Sequence, residues 1–247
     1  MAVTKKRLDL VVLEKGLADS RQRAQALIMA GKVLVNNLIV DKSGTLVSPK
    51  DDIVLQEENN PYVSRGGIKL EKALHTLGVD INGFVCLDVG ASTGGFTDCL
   101  LHHGAGRVYA VDVGYGQLSW KLRQNPRVVV IERMNIRYIQ PDTIPQLVDL
   151  VTIDVSFISL KIVVPEILKF MKKSAGILAL VKPQFEVGKR NIGKGGVVRN
   201  PDLHAEVIEN LTGFFTKKYL FIDWVIPSPI LGPKGNKEFF MSLKFES

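Results

Sequence analysis

Cysteine is scarce in this 247-residue chain: it occurs only as Cys86, in an apolar strand-like run, and Cys99, in the helix-like run that follows. Both read as small apolar core residues of a protein kept in a reducing compartment, which excludes a disulfide scaffold. Histidine is as sparse. His75, His102, His103 and His204 have no ligand spacing along the chain, so no metal site is expected. No uncharged apolar run approaches the roughly 20 residues a membrane helix needs. The opening Met-Ala-Val-Thr-Lys-Lys-Arg lacks the apolar core of a signal peptide. The expectation is a cytoplasmic protein without a membrane partner. Internal repeats and low-complexity segments are missing too. Positive charge is what the chain has in excess: a net charge of +7 and a pI near 9.3 favour an anionic partner, nucleic acid first. With 46% hydrophobic residues, the length suits a medium domain carrying a small appendage.

The appendage reads as residues 1–58. Leu8 to Glu14 and Ser20 to Ala30 are expected to form two short amphipathic helices, the first ended by Gly16 and the second capped by Asp19 or Ser20. Lys32 to Val40 reads as strand–turn–strand, and Asp52 to Gln56 closes a small sheet. Up to Lys32 the Lys and Arg residues outnumber Asp and Glu by four. Residues 59–63 have the composition of a linker, and residues 64–247 form the larger domain. There Ser64 should cap a helix that Gly78 ends. Strands near 84–89, 107–112, 128–131, 148–154 and 176–182 alternate with helices near 95–103, 116–123, 161–172 and 201–218. That alternation is the pattern of an α/β, doubly wound, Rossmann-like and mostly parallel sheet. Two final runs, 219–227 and 237–245, can add an antiparallel hairpin at its edge.

The most informative segment is Phe84-Val-Cys-Leu-Asp88-Val-Gly90-Ala91-Ser92-Thr93-Gly94-Gly95-Phe96. It reads as a buried strand that turns through glycines into a helix, so that main-chain N–H groups can approach a ligand. Its glycines are spaced differently from the dinucleotide fingerprint. Asp88, with Asp112 after the next strand, suits a ligand that has an amino group and a ribose, and S-adenosylmethionine fits better than a nicotinamide. A branched side chain at Gly94 is expected to enter the space of the methionine portion. Asn135 is a candidate for the adenine edge or a plain turn residue. Asp154 ends the fourth strand, where ligands bind in such sheets. Lys182 follows four apolar residues on the fifth, a costly position unless it opens into a site.

Lys69, Asp154, Lys182 and Glu238, in order and context, resemble the catalytic tetrad of FtsJ-like ribose 2′-O-methyltransferases. Arg7-Leu-Asp9, Gly16, Ser20-Arg21, Ala24, Ile28, Gly31 and Val35-Asn36 resemble the RNA-binding domain named after ribosomal small-subunit protein four. Together with Tyr62-Val-Ser-Arg65-Gly-Gly-Ile-Lys69 and Val181-Lys-Pro-Gln-Phe-Glu186, they make the chain similar to the TlyA, or hemolysin A, family of rRNA methyltransferases. The resemblance implies 2′-O-methylation of cytidine in small- and large-subunit rRNA of ribosomal subunits. S-adenosylmethionine would sit on Asp88, Gly90, Ala91, Ser92, Gly94, Gly95, Phe96, Asp112, Asn135 and Asp154. Arg7, Ser20, Arg21, Arg23 and Lys32 would face RNA, and Asn37 stands where that domain often has glycine.

A ribose hydroxyl is a poor nucleophile, so the reaction needs alignment and removal of a proton. A lysine accepts a proton only in its neutral form, which burial or a neighbouring cation favours. Lys182 is assigned that role and Lys69 is expected close by. The glycine-rich stretch with Lys189, Arg190, Lys194 and Arg199 reads as a flexible flap over RNA. Two alternatives from other classes are a non-catalytic ribosome-assembly factor and a membrane-active hemolysin.

Overall fold

The computed structural model describes residues 5–36, 38–55, 60–188, 191–193, 195–218 and 220–245. Asn37, Lys189, Arg190 and Lys194 of the expectations above lie outside them. The chain divides into two compact units, Met1–Asn59 and Asn60–Ser247.

In the first unit, β1 (Lys6–Arg7) leads into α1 (Leu8–Glu14), and α2 is Arg21–Met29. Ser20 caps α2 by accepting from Arg23 N at 3.1 Å, so its hydroxyl is engaged within the chain. β2 (Val33–Val35) pairs antiparallel with β3 (Leu38–Ile39) and β5 (Ile53–Leu55), while β4 (Leu46–Val47) pairs with β1. Leu8, Val12, Ala24, Ile28, Val33, Val47 and Ile53 form the core of this unit. Leu8 and Val12, and Ala24 and Ile28, recur at helical spacing, so one face of each helix turns inward against Val33, Val47 and Ile53 of the strands.

The second unit opens with α3 (Arg65–Leu77), capped by Ser64 and ended by Gly78 in the left-handed conformation. Tyr62, expected in the linker, is buried instead. Its ring fills the space beside Gly67, where a Cβ would come within 2.2 Å, and its hydroxyl donates to Glu71 at 2.9 Å. Next come β6 (Val85–Val89), α4 (Gly95–His102), β7 (Arg107–Val111), α5 (Trp120–Arg123), β8 (Val128–Ile131), β9 (Val148–Ile153) and α6 (Leu160–Ile167). β10 (Met171–Val181), α7 (Pro183–Glu186), α8 (Pro201–Thr216), β11 (Leu220–Pro227) and β12 (Phe239–Phe245) complete the order. β10 starts five residues earlier than expected and takes the end of the expected helix 161–172, and α5 is only four residues long.

The strands form one sheet in the order β11-β12-β10-β9-β6-β7-β8. β12 is antiparallel to both neighbours, and the other inner pairs are parallel. Chain order reverses between β6 and β9, so the crevice for a ligand opens beyond their carboxyl ends. Side chains alternate between two faces. Leu87, Val89, Val151 and Ile153 pack in a core that also contains residues of α6 and α8, and Cys86, Leu150 and Leu178 in one that contains residues of α3 and α4.

Candidate active site

Parity decides where Asp88 goes. It shares the face of Cys86 and pairs in register with Thr152, so its side chain turns under α4 rather than into the crevice. Its carboxylate is fully buried, accepting from Thr97 Oγ1 at 2.6 Å and Thr152 Oγ1 at 3.2 Å. Burial raises its pKa to about 7, against the opposing effect of the two threonine hydroxyls. Asp88 lines neither cavity at the crevice. Its carboxylate braces the turn from beneath.

The turn itself is built from unusual backbone. Gly90, Ser92 and Gly94 all have positive φ (86°, 48° and 98°). A Cβ on Gly90 would lie 2.4 Å from the carbonyl oxygen of Asp154. At Gly94 it would lie 2.2 Å from Leu122 and 2.8 Å from Leu118, so the bare face of Gly94 looks into packing around α5 and not toward a ligand. That overturns the expectation for a branched residue there. Gly95 approaches the start of α3, where its Cβ would meet Ser64 Oγ at 2.2 Å and Gly67 N at 3.0 Å.

Two cavities meet at this turn. The larger, about 590 Å³, is lined by Asp112, Met134, Asn135, Ile136, Val155 and Phe157 among others. The smaller, about 260 Å³, is lined by Ser64, Arg65, Lys69, Ala91, Gly95 and Phe96 among others. Gly90, Ser92 and Asp154 border both. The larger volume falls in the range of about 300–1,000 Å³ usual for small-molecule sites. Asp112 accepts from Ser92 N at 2.8 Å and Gly114 N at 2.7 Å, which fixes its carboxylate on the cavity wall. Asn135 accepts from Arg137 N at 3.1 Å and so presents its amide from a rigid turn.

The four tetrad residues form two ion pairs. Lys69 Nζ donates to Glu238 Oε2 at 2.6 Å, and Lys182 Nζ lies 2.6 Å from Asp154 Oδ1 while donating to Ser156 Oγ at 3.0 Å. Lys69, Lys182 and Glu238 are only 8%, 9% and 2% exposed. Charges that deep persist only with a partner. Each lysine has its own carboxylate rather than one shared cluster. Glu186, on the turn after Lys182, accepts from Ser159 Oγ and Leu160 N at 2.6 and 2.8 Å, and so ties α7 to the start of α6. The other carboxylate oxygen of Glu238 is buried without a hydrogen-bond partner. Gly232 abuts that oxygen so closely that a Cβ would come within 1.9 Å.

Arg65 is a residue that the sequence reading did not single out. Its Nε is buried without a partner, its guanidinium donates to Leu231 O at 3.3 Å, and its side chain lines the smaller cavity. Only its place in the run Ser64-Arg-Gly-Gly-Ile-Lys69 could have signalled it. A guanidinium that lines the cavity beside Ser64 suits a carboxylate such as that of a methionine moiety. With an acid on the cavity wall for a ribose, the two cavities fit S-adenosylmethionine. The expected flap is anchored at its end: Val197 and Val198 are buried, and Asn236 binds Val198 N and Gly196 O at 3.1 and 3.2 Å.

In the first unit Asp9, fully buried, accepts from Arg7 and Gln25 and pairs with Arg21 at 3.1 Å. These contacts, Arg7 first, hold its carboxyl well below the usual range. The unexpected acid thus orients two of the five residues expected to face RNA, while Arg23 is exposed and Lys32 half-buried.

Residues 62–245 match the FtsJ-like methyltransferases, and residues 6–53 match the S4 domain. The chain belongs to the TlyA family of FtsJ-like methyltransferases. It is 45% identical to the 16S/23S rRNA (cytidine-2′-O)-methyltransferase TlyA of Mycobacterium tuberculosis over 98% of this chain and 90% of that protein. It is 41% identical to Hemolysin A of Brachyspira hyodysenteriae over 94% of this chain and 97% of that one. Among solved structures, "Putative hemolysin from Streptococcus thermophilus" superposes with a TM-score of 0.77 and 42% identity, covering 99% of this chain and 90% of that one. Membership of a methyltransferase family implies S-adenosylmethionine as the methyl donor. No helix among the described residues is long and apolar enough to cross a membrane.

Proposed function

We propose that this chain methylates ribose 2′-hydroxyls of ribosomal RNA, cytidine being the nucleoside that the names of its relatives point to. The observation that carries the reading is the pair of buried ion pairs, Lys69–Glu238 and Lys182–Asp154, at the switch point of a methyltransferase sheet. S-adenosylmethionine, when bound, supplies a methyl group already activated by its sulfonium. Asp112 would accept from its ribose hydroxyls, and Asn135 would meet the adenine edge between Met134, Ile136 and Val155. Ser64 and Arg65 would hold its carboxylate. The acceptor hydroxyl would lie at the lysines, where Lys182, in the form that has given up its own proton, takes the hydroxyl proton and Asp154 keeps the amine aimed. Lys69, held by Glu238, contributes fixed positive charge where the oxygen develops negative charge.

RNA binding would be shared. Arg7, Arg21, Arg23 and Lys32, with Ser20, belong to the S4 unit, and Lys189 and Arg190 to the segment after the tetrad lysine. Exposed aromatic residues at or near the larger cavity, including Phe157 at 90% exposure and Tyr138, suit stacking on splayed bases.

Single-turnover methylation of ribosomal subunits from cells lacking the gene is the test. Lys182→Ala and Lys182→Arg should both slow transfer by about 100-fold or more, because neither side chain can take the proton, while cofactor affinity stays near normal. Near-normal rates in Lys182→Arg would remove Lys182 as the base. No transfer by the wild-type chain to either subunit would favour the assembly-factor reading.

A further inference from the structure

On α3, Glu71 and His75 are one turn apart, so both side chains leave the same face of the helix. His103 caps the carboxyl end of α4. The two helices pack closely, because Gly95 comes against Gly66 and Gly67, where a Cβ on it would lie 3.2 Å from Gly66 Cα and 3.0 Å from Gly67 N. That approach brings one donor atom each from Glu71, His75 and His103 within 4.8 Å of one another. Spacing along the chain hid the cluster, since its members come from two helices.

The surroundings prepare these donors in the way metal ligands are usually prepared. His103 Nδ1 contacts the carbonyl oxygen of Cys99 at 3.0 Å. A carbonyl only accepts, so Nδ1 carries the hydrogen and Nε2 keeps a lone pair. Glu71 Oε1 accepts from the buried Tyr62 hydroxyl at 2.9 Å, which steadies the carboxylate and leaves its second oxygen open. The rings of His75 and His103 are 5.9 Å apart and nearly perpendicular, at 82°. Glu71 and His103 are half-buried and His75 is exposed, so the last donor is free to swing.

The geometry points to a zinc site of Glu71, His75 and His103 that staples α3 to α4. Two imidazoles and a carboxylate are the donor set of a borderline transition metal rather than of magnesium or calcium. Three protein ligands leave water in the fourth position of a tetrahedral ion. The donors, within 4.8 Å of one another, must close to the roughly 3.3 Å separation that such an ion requires, and the exposed His75 is the one of the three with most room to move. Glu71 follows Lys69 by two residues, about 200° around the helix, so the metal sits on the face opposite the tetrad lysine. It acts by position. α3 carries Arg65 and Lys69, and α4 begins at Gly95 of the ligand turn, so the staple fixes two walls of the smaller cavity.

Full-length, tag-free protein stripped with a chelator and titrated calorimetrically with zinc should bind one equivalent and gain thermal stability, whereas magnesium should do neither. Cobalt should give the intense visible absorption of a four-coordinate site. His75→Ala, at an exposed position that leaves the fold intact by circular dichroism, should lose the stability gain and weaken zinc binding at least about 10-fold. Tyr62→Phe should weaken it about 10-fold through the supporting hydrogen bond alone. Zinc binding in the His75→Ala/His103→Ala variant equal to that of the wild type, or no zinc binding by the wild type, would overturn the site.

Discussion

At the scale of single residues, the acids of the crevice differ in task because they differ in burial. Asp112 and Asp154 stand on cavity walls, while Asp88 is sealed beneath α4 with its pKa raised to about 7. Between the ordinary carboxylate value of about 4 and pH 7, the folded state keeps the Asp88 proton and the unfolded state has lost it. Folding stability from this group therefore falls as pH rises through that window. Asp88→Asn has no proton to lose, so its stability relative to the wild type should be higher at pH 8 than at pH 5, as read by urea unfolding at both. A constant difference would mean that Asp88 ionises as freely in the folded chain as in the unfolded one. Buried Cys86 and Cys99, both with thiol pKa values pushed up by burial, are inert packing residues, as their place in apolar runs suggested.

Elements carry the next layer. The ligand turn is shaped from behind by Leu122 of α5 and by Leu118 just before it, both against Gly94. A side chain at Gly94 must therefore displace those leucines and adopt a φ of 98° as well, which L-residues avoid. Gly94→Val should lower stability by about 3 kcal/mol or more, with cofactor binding lost through the distorted turn. A double-mutant cycle separates this from a clash with the ligand. Gly94→Ala and Leu122→Ala should couple by more than about 0.5 kcal/mol in unfolding experiments without cofactor. Additive effects would put the Gly94 side chain in the crevice after all.

For the whole molecule, the division into two units sets what can be separated. Every residue lining the two cavities belongs to the second unit. A chain of residues 60–247 should keep cofactor affinity within a few-fold of the full chain. It should bind rRNA more weakly, with a flatter dependence of log affinity on log salt because phosphate contacts are lost. An unchanged slope, measured by filter binding over a salt series, would show that the first unit contributes no phosphate contact.

The sequence alone determined most of what depends on near neighbours and on period. Ser64 caps the helix it was expected to cap, and Ser20, one of the two candidates, caps α2, because a cap is a bond to a backbone N–H two or three residues away. The parallel strands and the antiparallel edge pair followed from alternation and the missing helix before β12. Asp154 and Lys182 could be picked out because they end apolar strands, where a charge needs a reason. Lys69 and Glu238 became candidates only through resemblance, since alone each passes for a surface charge. Tertiary structure decided what depends on which distant groups meet. It joined Lys69 to Glu238 across the fold, turned Asp88 inward by strand parity, buried Asp9 between two arginines, and set the Arg65 side chain on the cavity wall. It also brought Glu71, His75 and His103 together from two helices. The reason is physical: capping and amphipathic period act over one turn of chain, whereas the partner of a buried charge is whatever packing carries to within 3 Å.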